Sequence, residues 1–358
     1  MDHTITRRGF GALTAAVGTG LLAPANASAA PKRQVGFVLS HEQFRTQELV
    51  ELAQRAEQAG FDRVWTSDHL QPWQDNQRHS MYPWLTLALI GEKTSALQFG
   101  TGVTCPSYRH HPAEVAQVFA SLGLLSPGRV FLGTGTGEAL NEQAATGRFG
   151  RYPERHDRLA EAVDLIRRLW TGQRTTFQGH YFRTEQLKLY DVPEQPVPLL
   201  MAASGPKSAR LAGQRGDGWI TGAADFAKPD LRDAFAAGAR AAGKDPDAMP
   251  KYVETLAVVG GEAETEYAAE QWRFTVGSFG DLLYEPNPET IQAKAEQRWP
   301  LPQVYAKWPR GTDPEPHIKN LQQIIDAGGT PFVHSGQSDQ RRFLDFYGKR
   351  VLPHLTHV

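Results

Sequence analysis

Ionisable side chains in this chain recur at one kind of place, just past short runs rich in Val, Phe, Leu and Trp. Glu42 follows the run Gln34–Leu39 through Ser40 and His41. Asp68 and His69 follow Arg63–Thr66, and Glu138 follows Val130–Gly133 across the glycine-broken stretch Thr134–Gly137. Histidine as a residue type changes charge near neutrality, so His69 can take a proton from an alcohol, worth about 100- to 10,000-fold in rate. Asp68 or Glu42 can orient its ring, although alternation along a strand tends to turn Asp68 the other way. Glu138 can protonate or hydrogen-bond a ring nitrogen as hydride arrives, or it can cap the helix that follows. Trp73, after Gln71-Pro72, can wall a substrate against a flat ring, though a Trp in that setting also packs well on its own. One such placement is common; three at neighbouring strand ends together suggest an active site. The other histidines, such as His110, His111, His180 and His317, lack metal-ligand spacing and read as surface or loop residues. With Cys105 the single cysteine, no cysteine cage or intrachain disulfide is possible, and no metal is expected.

One further stretch has binding character. Ala202-Ala203-Ser204-Gly205 precedes Pro206 and Lys207 at the expected start of a helix. Small residues there let backbone N–H groups approach a phosphate, and Lys207 adds charge. Gly-Pro also marks plain turns, so the signal is moderate.

The elements that must position these groups alternate. Gln34–Leu39, Arg63–Thr66, Leu97–Gly100, Val130–Gly133, Pro198–Met201, Gly218–Thr221, Val253–Val259 and Pro331–His334 read as strands. Between them lie amphipathic helices. Thr46–Ala59 places Leu49, Val50, Leu52, Ala53 and Ala56 on one stripe and stops at Gly60; Pro112–Ser126 and Pro153–Trp170 follow the same logic. Gln178-Gly179-His180 reads as a hairpin tip between Thr175–Phe177 and Tyr181–Arg183. Eight strand–helix units argue for an α/β fold, and nothing resembling G-x-G-x-x-G follows the first strand. A (β/α)8 TIM barrel is favoured over a doubly wound sheet, and residues 31–358 read as a single barrel domain. In such a barrel the C-terminal strand ends form the active site. The Pro-rich stretch 279–316 reads as an irregular insertion, of the kind that often forms a lid.

A net charge of −1 and the lack of any basic, aromatic-interleaved stripe give no reason to expect nucleic acid or an anionic membrane as partner. Residues 1–30 carry Thr6-Arg7-Arg8-Gly9-Phe10, a weakly apolar run from Gly11 to Ala23, and small residues from Ala25 to Ala29. This reads as a cleaved twin-arginine export signal, too short to serve as an anchor, and it implies a cell-envelope location.

With these residues in place, the chain resembles the deazaflavin (coenzyme F420) dehydrogenases of the luciferase-like superfamily from the first strand to the C-terminus. The likeness is carried by Glu42-Gln43-Phe44, Ser67-Asp68-His69, Gln71-Pro72-Trp73 and Gly133 through Glu142. Arg168 through Gly172, Tyr190 through Pro193, Gly216-Asp217-Gly218 and Asp339 through Phe343 add to it. The resemblance implies that His69 takes the hydroxyl proton while hydride passes to the deazaflavin, that Trp73 shields the reacting centre, and that Glu138 serves the ring nitrogen. It further implies coenzyme contacts from Asp68, Gly102, Val103, Cys105, Asn141 and the Ala202–Gly205 turn, with a non-prolyl cis peptide at Gly102–Val103. Homodimers are common in this family.

One departure bears on substrate. The sugar-phosphate members hold their phosphate with a threonine, two lysines and an arginine. Thr221 matches the threonine, the first lysine gives way near Asp225 with Lys228 close by, Gly280–Pro286 offers no cation, and Lys307 stands in place of the arginine. Glucose 6-phosphate is therefore not expected. The likeness is densest to the exported branch acting on hydroxymycolic acid, through Ser40–Thr46, Leu70–Asn76, His79–Trp84, Thr104–Pro106, Asn141–Thr146 and Gly179–Arg183. The reaction expected from it is oxidation of a hydroxyl on a long-chain lipid, with Glu42, Thr221 and Lys307 nearest the substrate. Met81, Tyr82, Trp84, Trp272, Phe274 and Phe279 are candidates for an apolar groove, or for core. The competing readings are an FMN-dependent luciferase-like monooxygenase and a non-catalytic carrier of coenzyme or lipid.

Overall fold

The computed structural model describes residues 34–277 and 280–356. The expected signal segment 1–30 and Phe279 lie outside them. Eight parallel strands close on themselves: β1 (Gly36–Leu39), β2 (Arg63–Thr66), β3 (Gln98–Thr101), β4 (Val130–Thr134), β5 (Leu199–Ala202), β6 (Gly218–Gly222), β7 (Lys251–Leu256) and β8 (Thr330–His334). Neighbours in the ring are neighbours in sequence, and β8 returns to pair with β1. This is the expected (β/α)8 barrel.

The barrel interior is filled by Val38, Trp65, Phe131, Leu200, Ile220, Tyr252 and Phe332. Trp65 stacks on Phe332 with centroids 3.9 Å apart, an arrangement worth about 0.5–1.5 kcal/mol beyond its buried area. Gly36 must lack a Cβ because the Phe332 ring occupies that space. A second, larger apolar layer lies between the strands and the helices α1 (Thr46–Ala59), α2 (Pro83–Lys93), α3 (Pro112–Leu125), α4 (Ala139–Thr146), α5 (Tyr152–Leu169) and α6 (Pro206–Arg215). Helix α1 ends where expected: Gly60 takes φ +94° and its N–H bonds back to Ala56 and Glu57.

Three expectations need correction. The second hairpin strand is Arg183–Leu187, not Tyr181–Arg183, because the Glu161 carboxylate of α5 accepts the N–H groups of His180, Tyr181 and Phe182 and holds them as the turn. Strand β7 stops at Leu256; Val258 leaves the barrel ladder and donates to Pro309 instead. The stretch 279–316 is largely helical where described, with Pro288–Arg298, Leu301–Val304 and the start of Pro314–Asp326. Two of its prolines stand at the first helical position: Pro288 follows Asn287, whose side chain accepts from Glu289 N, and Pro314 follows Asp313, which accepts from Glu315 N. No helix among the described residues is long and apolar enough to cross a membrane.

Candidate active site

The C-terminal mouth of the barrel gathers the residues singled out from the sequence. His69 leaves β2 facing Glu42, which leaves β1; Nδ1 of the imidazole lies 3.6 Å from Glu42 Oε1. That is an ion-pair distance, too long for a hydrogen bond, and both side chains are buried. His69 Nδ1 has no hydrogen-bond partner among the described residues. The segment Arg78–Tyr82 braces both residues from behind: His79 N donates to Glu42 O at 2.9 Å, and Ser80 Oγ donates to His69 O at 2.8 Å. Beside them His41 is buried, and burial drives it down to about 4 against the pull of Glu42 and Asp68, so its ring is neutral.

Asp68 turns away from His69, as alternation suggested. Its Oδ2 accepts from Thr104 Oγ1 at 2.7 Å and its Oδ1 from Arg109 Nη2 at 2.7 Å. Burial works to raise this carboxyl, but the His110 ring, the Arg109 guanidinium and Thr104 outweigh it and hold it well below the usual carboxylate range. His110 is therefore buried beside Asp68 and not a surface residue, and His317 is likewise buried, bonded to Tyr347 at 2.9 Å. His111 and His180 are exposed.

Trp73 packs face to face on Phe274, centroids 4.5 Å apart, and its centroid lies 5.6 Å from that of His69. The loop bearing it is fastened to the insertion and to α4. Gln71 Nε2 donates to Leu140 O and Pro286 O, Gln74 Oε1 accepts from Phe274 N, and Asn76 N donates to Gln292. Asn141 is buried within the same joint: its Oδ1 accepts from Leu70 N at 2.7 Å and its Nδ2 donates to Glu138 Oε2 at 3.3 Å. Glu138 occupies the N-cap position of α4, yet its side chain makes no capping bond and stays half-buried at the mouth.

After β3 the Gly102–Val103 peptide is cis, at the position the resemblance gave. Cys105 is buried, and desolvation together with Glu142 and Glu138 pushes its thiol well up, so it stays a thiol. Ala202 ends β5, and Ala203, exposed Ser204 and Gly205 lead into α6 with Pro206 at its first position. Thr221 is buried at the end of β6 with Oγ1 unpartnered among the described residues. Lys228 is taken up by Asp225 at 2.7 Å, whereas Lys307 is exposed in the insertion.

Of the expected groove residues, Trp84, Trp272 and Phe274 are core, and Met81 and Tyr82 are exposed. Met81 lines a groove of about 740 Å³, but Arg45, Gln47, Glu48 and His79 make the rest of its lining polar.

Two groups escaped the sequence reading. His334 ends β8 at the same mouth, with Nε2 2.7 Å from Ser40 Oγ and Nδ1 2.6 Å from Glu254. The strand-end rule that picked His69 applies to it equally. Arg109 had no such signal, because nothing in its neighbourhood announces that its guanidinium folds inward.

A model of the luciferase-like monooxygenases matches residues 19–311. The chain belongs to the luciferase-like family. Within it, 58% identity over 351 residues links the chain to an F420-dependent hydroxymycolic acid dehydrogenase of Mycobacterium tuberculosis, spanning 97% of this chain and 96% of the relative. An F420-dependent glucose-6-phosphate dehydrogenase of Gordonia bronchialis is 39% identical over 337 residues, spanning 92% and 99%. Among solved structures, an F420-dependent secondary alcohol dehydrogenase in complex with an F420-acetone adduct superposes with TM-score 0.84 at 33% identity, spanning 89% and 98%.

Proposed function

We propose that this luciferase-like enzyme is a coenzyme F420-dependent alcohol dehydrogenase that oxidises the secondary hydroxyl of a long-chain lipid, hydroxymycolic acid to ketomycolic acid, on the envelope side of the membrane. The observation that carries the chemistry is the buried His69–Glu42 pair at the barrel mouth, 3.6 Å apart, with the ring nitrogen Nδ1 left unbonded. The lipid is suggested by the hydroxymycolic relative.

The residues present fit the coenzyme. Thr221 Oγ1, buried and without a partner among the described residues, is free to bond a bound molecule. The small-residue turn Ala202–Gly205 opens onto the start of α6, where first-turn N–H groups lack intrahelical acceptors and suit an anionic phosphodiester. When bound, the coenzyme supplies the two-electron hydride acceptor. The chain does the rest. His69 removes the substrate hydroxyl proton, and the Glu42 carboxylate stabilises the imidazolium that forms. Trp73, immobilised on Phe274, limits water at the reacting carbon. Glu138 holds a carboxyl for the coenzyme ring nitrogen.

Incubating the enzyme with F420 and hydroxymycolic lipid tests this reading: ketone formed in step with loss of oxidised coenzyme supports it, and preference for FMN with oxygen consumption replaces it with the monooxygenase. Coenzyme binding with no turnover on any secondary alcohol would leave a carrier. Export is tested by fractionating cells that express an Arg7→Lys, Arg8→Lys variant, which should retain the enzyme in the cytoplasm. A homodimer is part of the proposal; Leu85 and Leu89, exposed one turn apart on α2, are the residues to charge in testing it by sedimentation.

A further inference from the structure

We propose that Arg109 is a positioning residue for the reaction, fixing the separation between the segment that carries His69 and the helix start that carries Glu138. The inference rests on the roles proposed above for those two side chains.

Arg109 lies in the loop between β3 and α3. Its Nη2 donates to the Asp68 carbonyl oxygen at 2.8 Å and to Asp68 Oδ1 at 2.7 Å, so it grips both backbone and side chain of the residue directly before the base. Its own backbone N–H donates to Glu142 Oε2 at 2.8 Å, and its Nε lies 3.9 Å from Glu142 Oε1. Glu142 is one helical turn beyond Glu138 on α4. A third segment joins through Thr104, which bonds Asp68 Oδ2 with its hydroxyl while its backbone pairs with Gly133 and Gly135. Arg109 thus links the end of β2 to α4, its guanidinium bonded to Asp68 and its backbone N–H bonded to Glu142, with the 3.9 Å ion pair to Glu142 as the weaker side-chain contact.

The link is stiff for two reasons. A guanidinium bonds in a fixed plane, so it sets direction as well as distance. Its direct partner Asp68 is buried, at 0% side-chain exposure, so losing the cation would leave an uncompensated carboxylate in the interior. Reaction rates respond steeply to such geometry, since a misplacement of about 1 Å can cost about 100-fold. Because Asp68 gives its carbonyl oxygen and Oδ1 to Arg109 and Oδ2 to Thr104, the effect of breaking the link should fall on turnover more than on coenzyme affinity.

The test uses Arg109→Met and Arg109→Lys in the mature chain, each alone and combined with His69→Asn. Coenzyme affinity is read by F420 fluorescence, turnover with a saturating long-chain secondary alcohol, and folding by circular dichroism. Arg109→Met should lower kcat by about 10- to 100-fold with the F420 dissociation constant changed less than about threefold, and Arg109→Lys should recover part of the rate. In the His69→Asn background Arg109→Met should cost little more, because the base it positions is gone. A kcat within about threefold of the parent, or an undiminished loss in the His69→Asn background, overturns the inference. Wild-type turnover in His69→Asn alone would instead remove the base assignment, and any loss from Arg109→Met would then count against positioning of that base. Should Arg109→Met fail to fold, Arg109→Lys decides by the same comparison: a loss of kcat confined to the His69 background supports the role, and an unchanged kcat refutes it.

Discussion

Replacing Glu42 by glutamine separates charge from shape at the proposed base. The carboxylate stands 3.6 Å from His69 Nδ1 with both side chains under a tenth exposed. At an effective dielectric of about 20, unit charges at that distance attract by roughly 4.6 kcal/mol. With the proton about half transferred in the transition state, roughly half of this is felt, about 2 kcal/mol, which is about 30-fold in kcat. Glutamine keeps the volume and a hydrogen-bonding head, so the fold and the F420 dissociation constant should change little. The assay is turnover at saturating alcohol, followed by loss of oxidised-coenzyme absorbance, with F420 fluorescence titration alongside. A fall in kcat below about threefold, or a loss that appears only in coenzyme affinity, would refute the assignment of Glu42 as the group that stabilises the imidazolium.

Asn141→Ala leaves the N–H of Leu70 without its acceptor in a buried joint, a cost of about 1–3 kcal/mol in stability, and thermal melting together with kcat should both show it. Glu142 gives a pH signature. Burial pushes its carboxyl from 4.5 up to about 7, against the backbone N–H and guanidinium of Arg109, so the folded protein holds this proton more tightly than the unfolded chain. That contribution is present in full below pH 4.5 and is lost as pH rises through 7, so Glu142→Gln should gain Tm relative to the parent at pH 8 but not at pH 5. A constant difference between the two proteins across that range would contradict the sign. F420 at 100 times its dissociation constant should stabilise the fold by about 2.7 kcal/mol, raising Tm, whereas FMN at the same concentration should leave Tm unmoved.

Much of the scaffold was legible because barrel strands are short apolar runs with helices behind them. Arg63–Thr66 has the expected limits, and Thr46–Ala59 with its stop at Gly60 was equally plain. Errors arose where a distant group decides local structure. Glu161 reaches from α5 to make His180–Phe182 a turn, and no local pattern reveals that carboxylate. In the insertion, proline density does not mean irregularity, because proline at the first position of a helix costs nothing. For the site, the strand-end rule brought His69, Glu42 and Glu138 to one mouth, and would have brought His334 had it been applied to β8. It could not find Arg109 or the burial of His110, because inward folding of a loop guanidinium depends on the carboxylates waiting for it.

The substrate proposal gains most from what surrounds Thr221. A sugar phosphate brings two negative charges, and holding them in a half-buried site needs cations that are not already spent. Here Lys228 is neutralised by Asp225 at 2.7 Å, and Lys307 sits exposed on the insertion. Thr221 Oγ1, buried and unpartnered, offers only a neutral hydrogen bond. Trp73 itself is packed into a buried cluster with Phe274, Leu140, Trp272 and Leu282, against which Leu256, Trp299 and Trp308 lie half-buried. A neutral hydroxyl needs no cation at Thr221, only a neutral hydrogen-bond partner. A phosphate dianion held by Thr221 alone would lose its hydration without a compensating charge. At the positions matching the phosphate site, Thr221 keeps a neutral hydroxyl and Lys228 is paired with Asp225, which favours the proposed neutral alcohol over a sugar phosphate.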